Sequence, residues 1–126
     1  MQVVLDASAL LAYLRQEPGA EAVDAWLGAA VLSSVNWAEV LQKSLSAGVQ
    51  VAGLREDLQA LGLIVEPFLA DDADTAARLW PRTRAHGLSL ADRACLSLAL
   101  RLELPVLTCD RAWGELGLPL QIQLLR

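Results

Sequence analysis

Only two cysteines, one histidine and ten lysines and arginines occur among the 126 residues of this chain, and each shortage excludes a class of chemistry. Cys95 and Cys109 form neither a CxxC pair nor a disulfide framework, which fits a reducing cytoplasm and leaves both as packing residues. His86 alone cannot supply the nitrogen set of a zinc site; near a helix C-terminus it reads as a solvated residue favoured by the dipole. A formal net charge of -5 gives no basic footprint of the sort that simple nucleic-acid binding needs, so any such work would lean on cations held by acidic side chains. No apolar run approaches the ~18 residues of a membrane span. Lysine and arginine are absent before Arg15, Asp6 falls early and strand-like sequence begins at Val3, a start that does not read as a cleavable signal peptide. Repeats and low-complexity segments are missing too.

What the chain has in plenty is apolar sequence. Its 55% hydrophobic fraction, counted without glycine, exceeds the roughly 45–50% of ordinary soluble chains counted with it. That is enough for a core in a single domain spanning residues 1–126, with apolar surface left over for an oligomer or a bound partner. Short apolar runs at Val3–Leu5, Val31–Leu32, Leu63–Val65, Val106–Thr108 and Leu120–Leu124 alternate with longer stretches in which Leu, Ala and Val recur at helical spacing. Such alternation predicts an α/β fold with a mainly parallel central sheet and helices on both faces, because parallel strands need crossover connections. Gly and Pro mark the boundaries: Pro18-Gly19 opens a second helix, Gly48 and Gly62 close helices, Gly87 follows another helix end, and Leu104-Pro105 ends the helix Ala91–Glu103. Pro81 interrupts the otherwise helical Asp72–Arg84, where a kink or break is expected.

Asp6 follows the first strand and Asp110 follows Val106–Thr108, each with a helix beginning just after it. Both sit at carboxyl ends of strands, the edge at which open parallel sheets bind ligands; each is also placed to cap the helix it precedes. Glu39 lies three residues after Asn36 and Asp92 three after Ser89, the spacing by which a first-turn acid supports a helix start. Capping explains each acid taken singly. Glu39, however, is surrounded by Trp37, Ala38, Val40 and Leu41, and Asp92 by Leu90, Ala91, Ala94, Cys95 and Leu96, with Arg93 as its one nearby charge. Unpaired buried carboxylates are costly. Four acids that each open a helix could point to one sheet edge, where Mg2+ or Mn2+ would offset their repulsion, and oxygen donors without matching His or Cys favour those hard ions.

The strings VLDASALLAYL, SSVNWAEVLQK and LSLADRACLSLALRLELPVLTCDRAW, with a closing strand, resemble the successive blocks of a PIN-domain ribonuclease of the VapC toxin type, over nearly the whole chain. The most specific part is the pairing of LSLADRACLSLA with LPVLTCDRAW at close range. The resemblance implies a three-layer α/β/α fold, a homodimer, and a VapB-like antitoxin whose C-terminal segment lies across the active groove. It carries the family's acidic quartet onto Asp6, Glu39, Asp92 and Asp110 as catalytic and metal-binding residues, with Asp6 and Asp92 the foremost direct ligands of Mg2+ or Mn2+. Ser8 and Thr108 match positions that in the family help orient a carboxylate or water, although local helix-start bonds explain them equally well. The implied reaction is hydrolysis of RNA phosphodiester bonds. The acidic balance departs from what an RNA substrate would favour.

Lys43, Arg82, Arg84, Arg93 and Arg111 are candidates for phosphate contact, Arg93 and Arg111 foremost because each adjoins a site acid. Asp71, Asp72 and Asp74 crowd one turn and read as helix-start charges. Trp26, Trp37, Trp80 and Trp113 are dispersed without a basic stripe between them, so core or dimer packing is favoured over base stacking; Tyr13 and Phe68 read the same way. Two rival functions stay open. An aspartyl phosphotransferase usually carries a second Asp two positions after its nucleophile, where this chain has Ser8. A catalytically silent PIN-like interaction module would be favoured by loss of a quartet acid, and none is lost.

Overall fold

A strand buried on both faces reads as an unbroken apolar run, and the first strand, β1 (Val3–Leu5), is such a run: Val3 and Leu5 face one core cluster and Val4 the other. The computed structural model describes residues 1–126. Four further short strands follow, β2 (Ala30–Ser33), β3 (Ile64–Glu66), β4 (Val106–Thr108) and β5 (Ile122–Leu124). All neighbours pair in parallel, in the order β3-β2-β1-β4-β5. The connecting helices are α1 (Ala7–Arg15), α2 (Ala20–Trp26), α3 (Ser34–Ser46), α4 (Leu54–Ala60), α5 (Ala70–Arg78), α6 (Trp80–Thr83) and α7 (Leu90–Leu102), with 3-10 turns at Leu27–Ala29, Arg84–His86 and Arg111–Glu115.

Covering both faces of the sheet makes three layers. On one face Leu10, Val23, Val40 and Leu58, from α1 to α4, pack on Val3, Leu5, Ala30 and Leu32. On the other, Leu79 and the α7 residues Cys95, Leu96, Leu98 and Ala99 pack with Trp113 on Val4, Val31 and Val106. The expected α/β/α architecture is therefore the observed one. No helix is long and apolar enough to cross a membrane.

Several boundaries follow from single residues. Pro81 sits in the first turn of α6, where its missing N–H costs nothing, and the helical stretch breaks at Leu79 as expected. Gly62 has φ 109°, and a Cβ there would come within 2.6 Å of Gly28 Cα, so only glycine allows α4 to turn this tightly into β3. Two strands start later than the apolar runs do. Leu63 is buried ahead of β3, and Leu120 is held in a tight turn by its N–H bond to Leu118 O at 2.7 Å, so pairing resumes only at Ile122.

The acidic turn at residues 71–74 turns out to be more than a helix start. Asp72 does cap α5, accepting the Leu69 N–H at 3.0 Å, but it is also buried and held by two Arg101 bonds of 2.9 and 3.2 Å. Arg93 Nη1 donates to Ala76 O at 2.8 Å. Rising numbers on α5 thus meet falling numbers on α7, and two arginines fasten the helices side by side.

Candidate active site

From β1 the chain builds outward through β2 to β3, then returns to lay β4 on the other flank of β1. The crevice between β1 and β4 is therefore the topological switch point, where open α/β sheets bind ligands at their carboxyl edge. The register Leu5↔Leu107 brings the next residues, Asp6 and Thr108, together. Asp6 N–H continues the ladder by donating to Leu107 O at 3.2 Å.

Asp6 is buried and receives three protons. Ala9 N–H reaches Oδ1 at 2.8 Å, as the cap of α1; Thr108 Oγ1 donates to Oδ2 at 2.6 Å; and the Ser8 hydroxyl lies 2.7 and 2.9 Å from the two oxygens. Capping and site geometry are thus the same arrangement rather than competing explanations. The two hydroxyls are themselves oriented from β4's end: Asp110 N–H donates to Thr108 Oγ1 at 3.0 Å and Cys109 N–H to Ser8 Oγ at 3.0 Å. Thr108 makes its bond across 102 positions, which no helix-start bond explains, whereas Ser8 bonds locally to Asp6 and across the crevice to Cys109. Burial, with a lesser push from the charge of Asp92, raises the Asp6 carboxyl to about 6 against the downward pull of the bonds from Thr108, Ser8 and Ala9.

Asp92 stands in the first turn of α7, in a reciprocal cap: Ser89 N–H donates to its Oδ2 at 2.9 Å and its own N–H donates to Ser89 Oγ at 3.1 Å. Burial raises its pKa, the two Ser89 bonds lower it, and the charges of Glu39 and Asp110 raise it again. Asp110 caps the 3-10 turn Arg111–Glu115 through a 3.0 Å bond from Ala112 N–H.

Glu39 requires a correction. The cap of α3 is Ser33, whose hydroxyl accepts the Val35 N–H at 3.2 Å, so Asn36 lies inside the helix and Glu39 falls in the second turn. Asn36 is buried and donates from Nδ2 to Ala91 O at 2.9 Å, clamping α3 to the residue beside Asp92. The carbonyl acceptor fixes the orientation of the amide, and Asn36 Oδ1 is left buried without a partner, as is Glu39 Oε1. Sequence reasoning passed over Asn36, because its spacing to Glu39 imitates a cap.

The candidate cations are mostly engaged elsewhere. Lys43 pairs with Glu39 Oε2 at 3.3 Å, one turn along α3. Arg93 is turned onto α5 with its Nε buried, not towards Asp92, because adjacent helical residues point in different directions. Arg111 Nε donates to Arg126 O at 3.2 Å, and Arg82 Nη2 to Gly117 O at 3.2 Å. Arg84 lies over the Trp80 ring, 4.9 Å from its centroid. Trp37 and Trp113 are core residues, whereas Trp80 is 48% exposed.

Nowhere do three or more His, Cys, Asp or Glu side chains gather into a ready-made metal cage. The donor set nevertheless fits a hard divalent ion. Mg2+ is commonly held by one or two carboxylates and keeps several waters, which suits an open group of acids. Two buried acceptor oxygens without donors, on Glu39 and Asn36, and two carboxyls raised by burial and like charge are the marks of a site short of positive charge.

The family model for the PIN domain matches residues 3–117. No curated protein matches the sequence. Among solved structures, the chain is similar to one in a toxin-antitoxin complex from Klebsiella pneumoniae, with a TM-score of 0.78 and 20% identity over 99% of this chain and 98% of that one. It is similar also to VapBC2 from Rickettsia felis bound to a promoter DNA fragment, with a TM-score of 0.69 and 17% identity over 100% of both chains. FitAcB from Neisseria gonorrhoeae gives 0.66 and 21% over 96% of each. Identities this low speak for the shared fold.

Proposed function

The chain belongs to the PIN-domain family, and from that premise we propose that it is a metal-dependent endoribonuclease, the toxin of a VapBC-type toxin-antitoxin pair, hydrolysing RNA phosphodiester bonds at Asp6, Glu39, Asp92 and Asp110. The observation that carries this reading is geometric: Asp6 follows β1 at the switch point and is bonded across the crevice to Thr108, which also holds the Asp110 N–H, while Asn36 ties the Glu39 helix to Ala91, next to Asp92. The raised carboxyls of Asp6 and Asp92 support a shared acidic field there. Such a field is costly unless a cation is meant to enter it.

Asp6 and Asp92 would hold Mg2+ or Mn2+, with Glu39 and Asp110 ligating it or holding water beside it. Bound there, the ion supplies positive charge for the phosphodiester and a more acidic water. The protein's own share is positioning. Ala9 N–H, Ser8 and Thr108 bring three protons to an Asp6 carboxylate with about four lone-pair sites, leaving one direction free for a ligand. Ser89 holds Asp92, and Asn36 ties the Glu39 helix to the Asp92 helix. The Ser8 that stands where a second Asp would be argues against Asp6 as a phosphotransferase nucleophile.

Exposed apolar side chains, among them Leu45, Val49, Leu61 and Leu90, suit a homodimer and a VapB-like antitoxin, and the similar structures are of complexes by their own description. Two free cysteines suit the cytoplasm. The test is cleavage of a mixed RNA pool by purified protein with Mg2+ or Mn2+. Cutting that EDTA and Asp6→Asn both abolish is the expected result; absence of cutting by folded, antitoxin-free protein would favour a silent interaction module.

A further inference from the structure

An acidic enzyme acting on a polyanion needs a local place where the sign of its surface reverses, and one segment has that character. Residues 78–86 hold three of the chain's ten lysines and arginines, Arg78, Arg82 and Arg84, together with His86 and no acid. All three arginines are exposed. Between them stands Trp80, 48% exposed, with the Arg84 guanidinium 4.9 Å from its ring centroid. The stripe of arginines around an aromatic ring that the linear pattern of tryptophans did not suggest is thus present at this one tryptophan, built by α6 and the 3-10 turn after it.

The segment also adjoins the helix that carries Asp92: Arg93 donates to Ala76 O, two residues before Arg78. Only Gly87–Ser89 separates His86 from α7, whose first turn carries Asp92; that link, four residue steps from His86 to Leu90, spans at most roughly 14 Å. On its other side, the Arg82 bond to Gly117 O ties α6 to the chain just beyond the 3-10 turn that Asp110 caps. At physiological salt charges beyond ~8 Å are screened, so a strand meeting this surface responds to the three arginines and to Asp74, one turn from Arg78 on α5, rather than to the net charge.

We propose that Arg78–His86 is the RNA-docking surface of the nuclease site, with a base of single-stranded RNA stacking on Trp80 and flanking phosphates meeting Arg78 and Arg84. The inference rests on the ribonuclease reading. Single-stranded RNA is favoured over an acidic peptide because arginine alone suffices for carboxylates, whereas a half-exposed indole offers a π-face for a splayed base. It explains how a chain with so few cations captures substrate beside its carboxylates.

The test uses the Asp6→Asn protein and a labelled single-stranded oligoribonucleotide of mixed sequence, with affinity read by anisotropy across a salt series. Trp80→Ala, and Arg78→Ala with Arg84→Ala, should each weaken binding about tenfold, the arginine pair also lowering the slope of log affinity against log salt by about 1–2. Trp80→Phe should keep most of the affinity, which a folding defect would not predict. Arg15→Ala with Arg55→Ala, an equal charge change elsewhere, should leave it within about twofold. Undiminished binding by Trp80→Ala, or an equal loss from the Arg15 and Arg55 pair, would overturn the proposal, as would loss of a dimer in sedimentation with RNA binding intact. Cleavage by the otherwise unaltered chain separates the two readings: binding lost in these variants without any parent cleavage keeps the docking surface and sinks the nuclease, and cleavage with binding unmoved does the reverse.

Discussion

Thr108 shows how much a single hydroxyl can organise: it donates to Asp6 Oδ2 at 2.6 Å while accepting the Asp110 N–H at 3.0 Å. Thr108→Val keeps the shape and β-branching and removes both bonds. Expected is a 10–100-fold loss of Mn2+ affinity and of cleavage with the fold retained, read by titration calorimetry and circular dichroism. Asp6 carries a second, pH-dependent consequence. Its carboxyl sits at about 6 in the folded chain against an ordinary 3.8, so the folded state holds the proton more tightly than the unfolded state. Metal-free stability from this group is therefore fullest below 3.8 and is lost as pH rises towards 6, by an order of 3 kcal/mol. In EDTA, Asp6→Asn should melt higher than the parent at pH 7, and the gap should close as pH falls to about 4; parallel melting curves across that range would refute the assigned cause.

At the scale of elements, the α5–α7 pair is the fastening that presents Asp92. Asp72 is 4% exposed at its side chain and owes its charge tolerance to Arg101, itself 30% exposed. Arg101→Met leaves a buried carboxylate without its partner and should cost about 1–3 kcal/mol in denaturant unfolding, towards the low end for a pair that water partly reaches. An unchanged midpoint would mean that the cap bond to Leu69 N–H alone suffices. These elements were also the most legible part of the chain. The runs Val3–Leu5 and Val106–Thr108, the glycine stops and the Pro81 break express local backbone preferences and short-range periodicity, which need no tertiary knowledge. Glu39 was misplaced by one turn for a related reason: Ser33, Ser34 and Asn36 are all competent caps, and tertiary bonds engage Ser34 with Phe68 N–H and Asn36 with Ala91 O, leaving Ser33 as the cap.

For the molecule as a whole, the unusual feature is a net charge of -5 with the buried Asp6 carboxylate at the sheet's carboxyl edge, where the proposed metal would bind. A ligand that binds only the folded state raises its stability by mass action. Millimolar Mg2+ or Mn2+ should therefore raise the melting temperature of the parent, and much less that of Asp92→Asn, as scanning calorimetry would show. Equal shifts in both proteins would place the ion elsewhere.

The sequence by itself determined the alternation of strands and helices, the three-layer fold that such alternation demands, and the identity and helix-start setting of Asp6, Asp92 and Asp110, since all of these follow from neighbours a few residues apart. Tertiary structure alone decided that β4 lies against β1, which joins Thr108 to Asp6 across 102 positions, and that Asn36 clamps Ala91 across 55. It also decided that Arg93 faces α5 rather than the acid beside it, and that Trp80 stands exposed among arginines while Trp37 and Trp113 are buried. Strand order, register and helix packing set those contacts, and each depends on the burial of the whole apolar set at once rather than on any local run of residues.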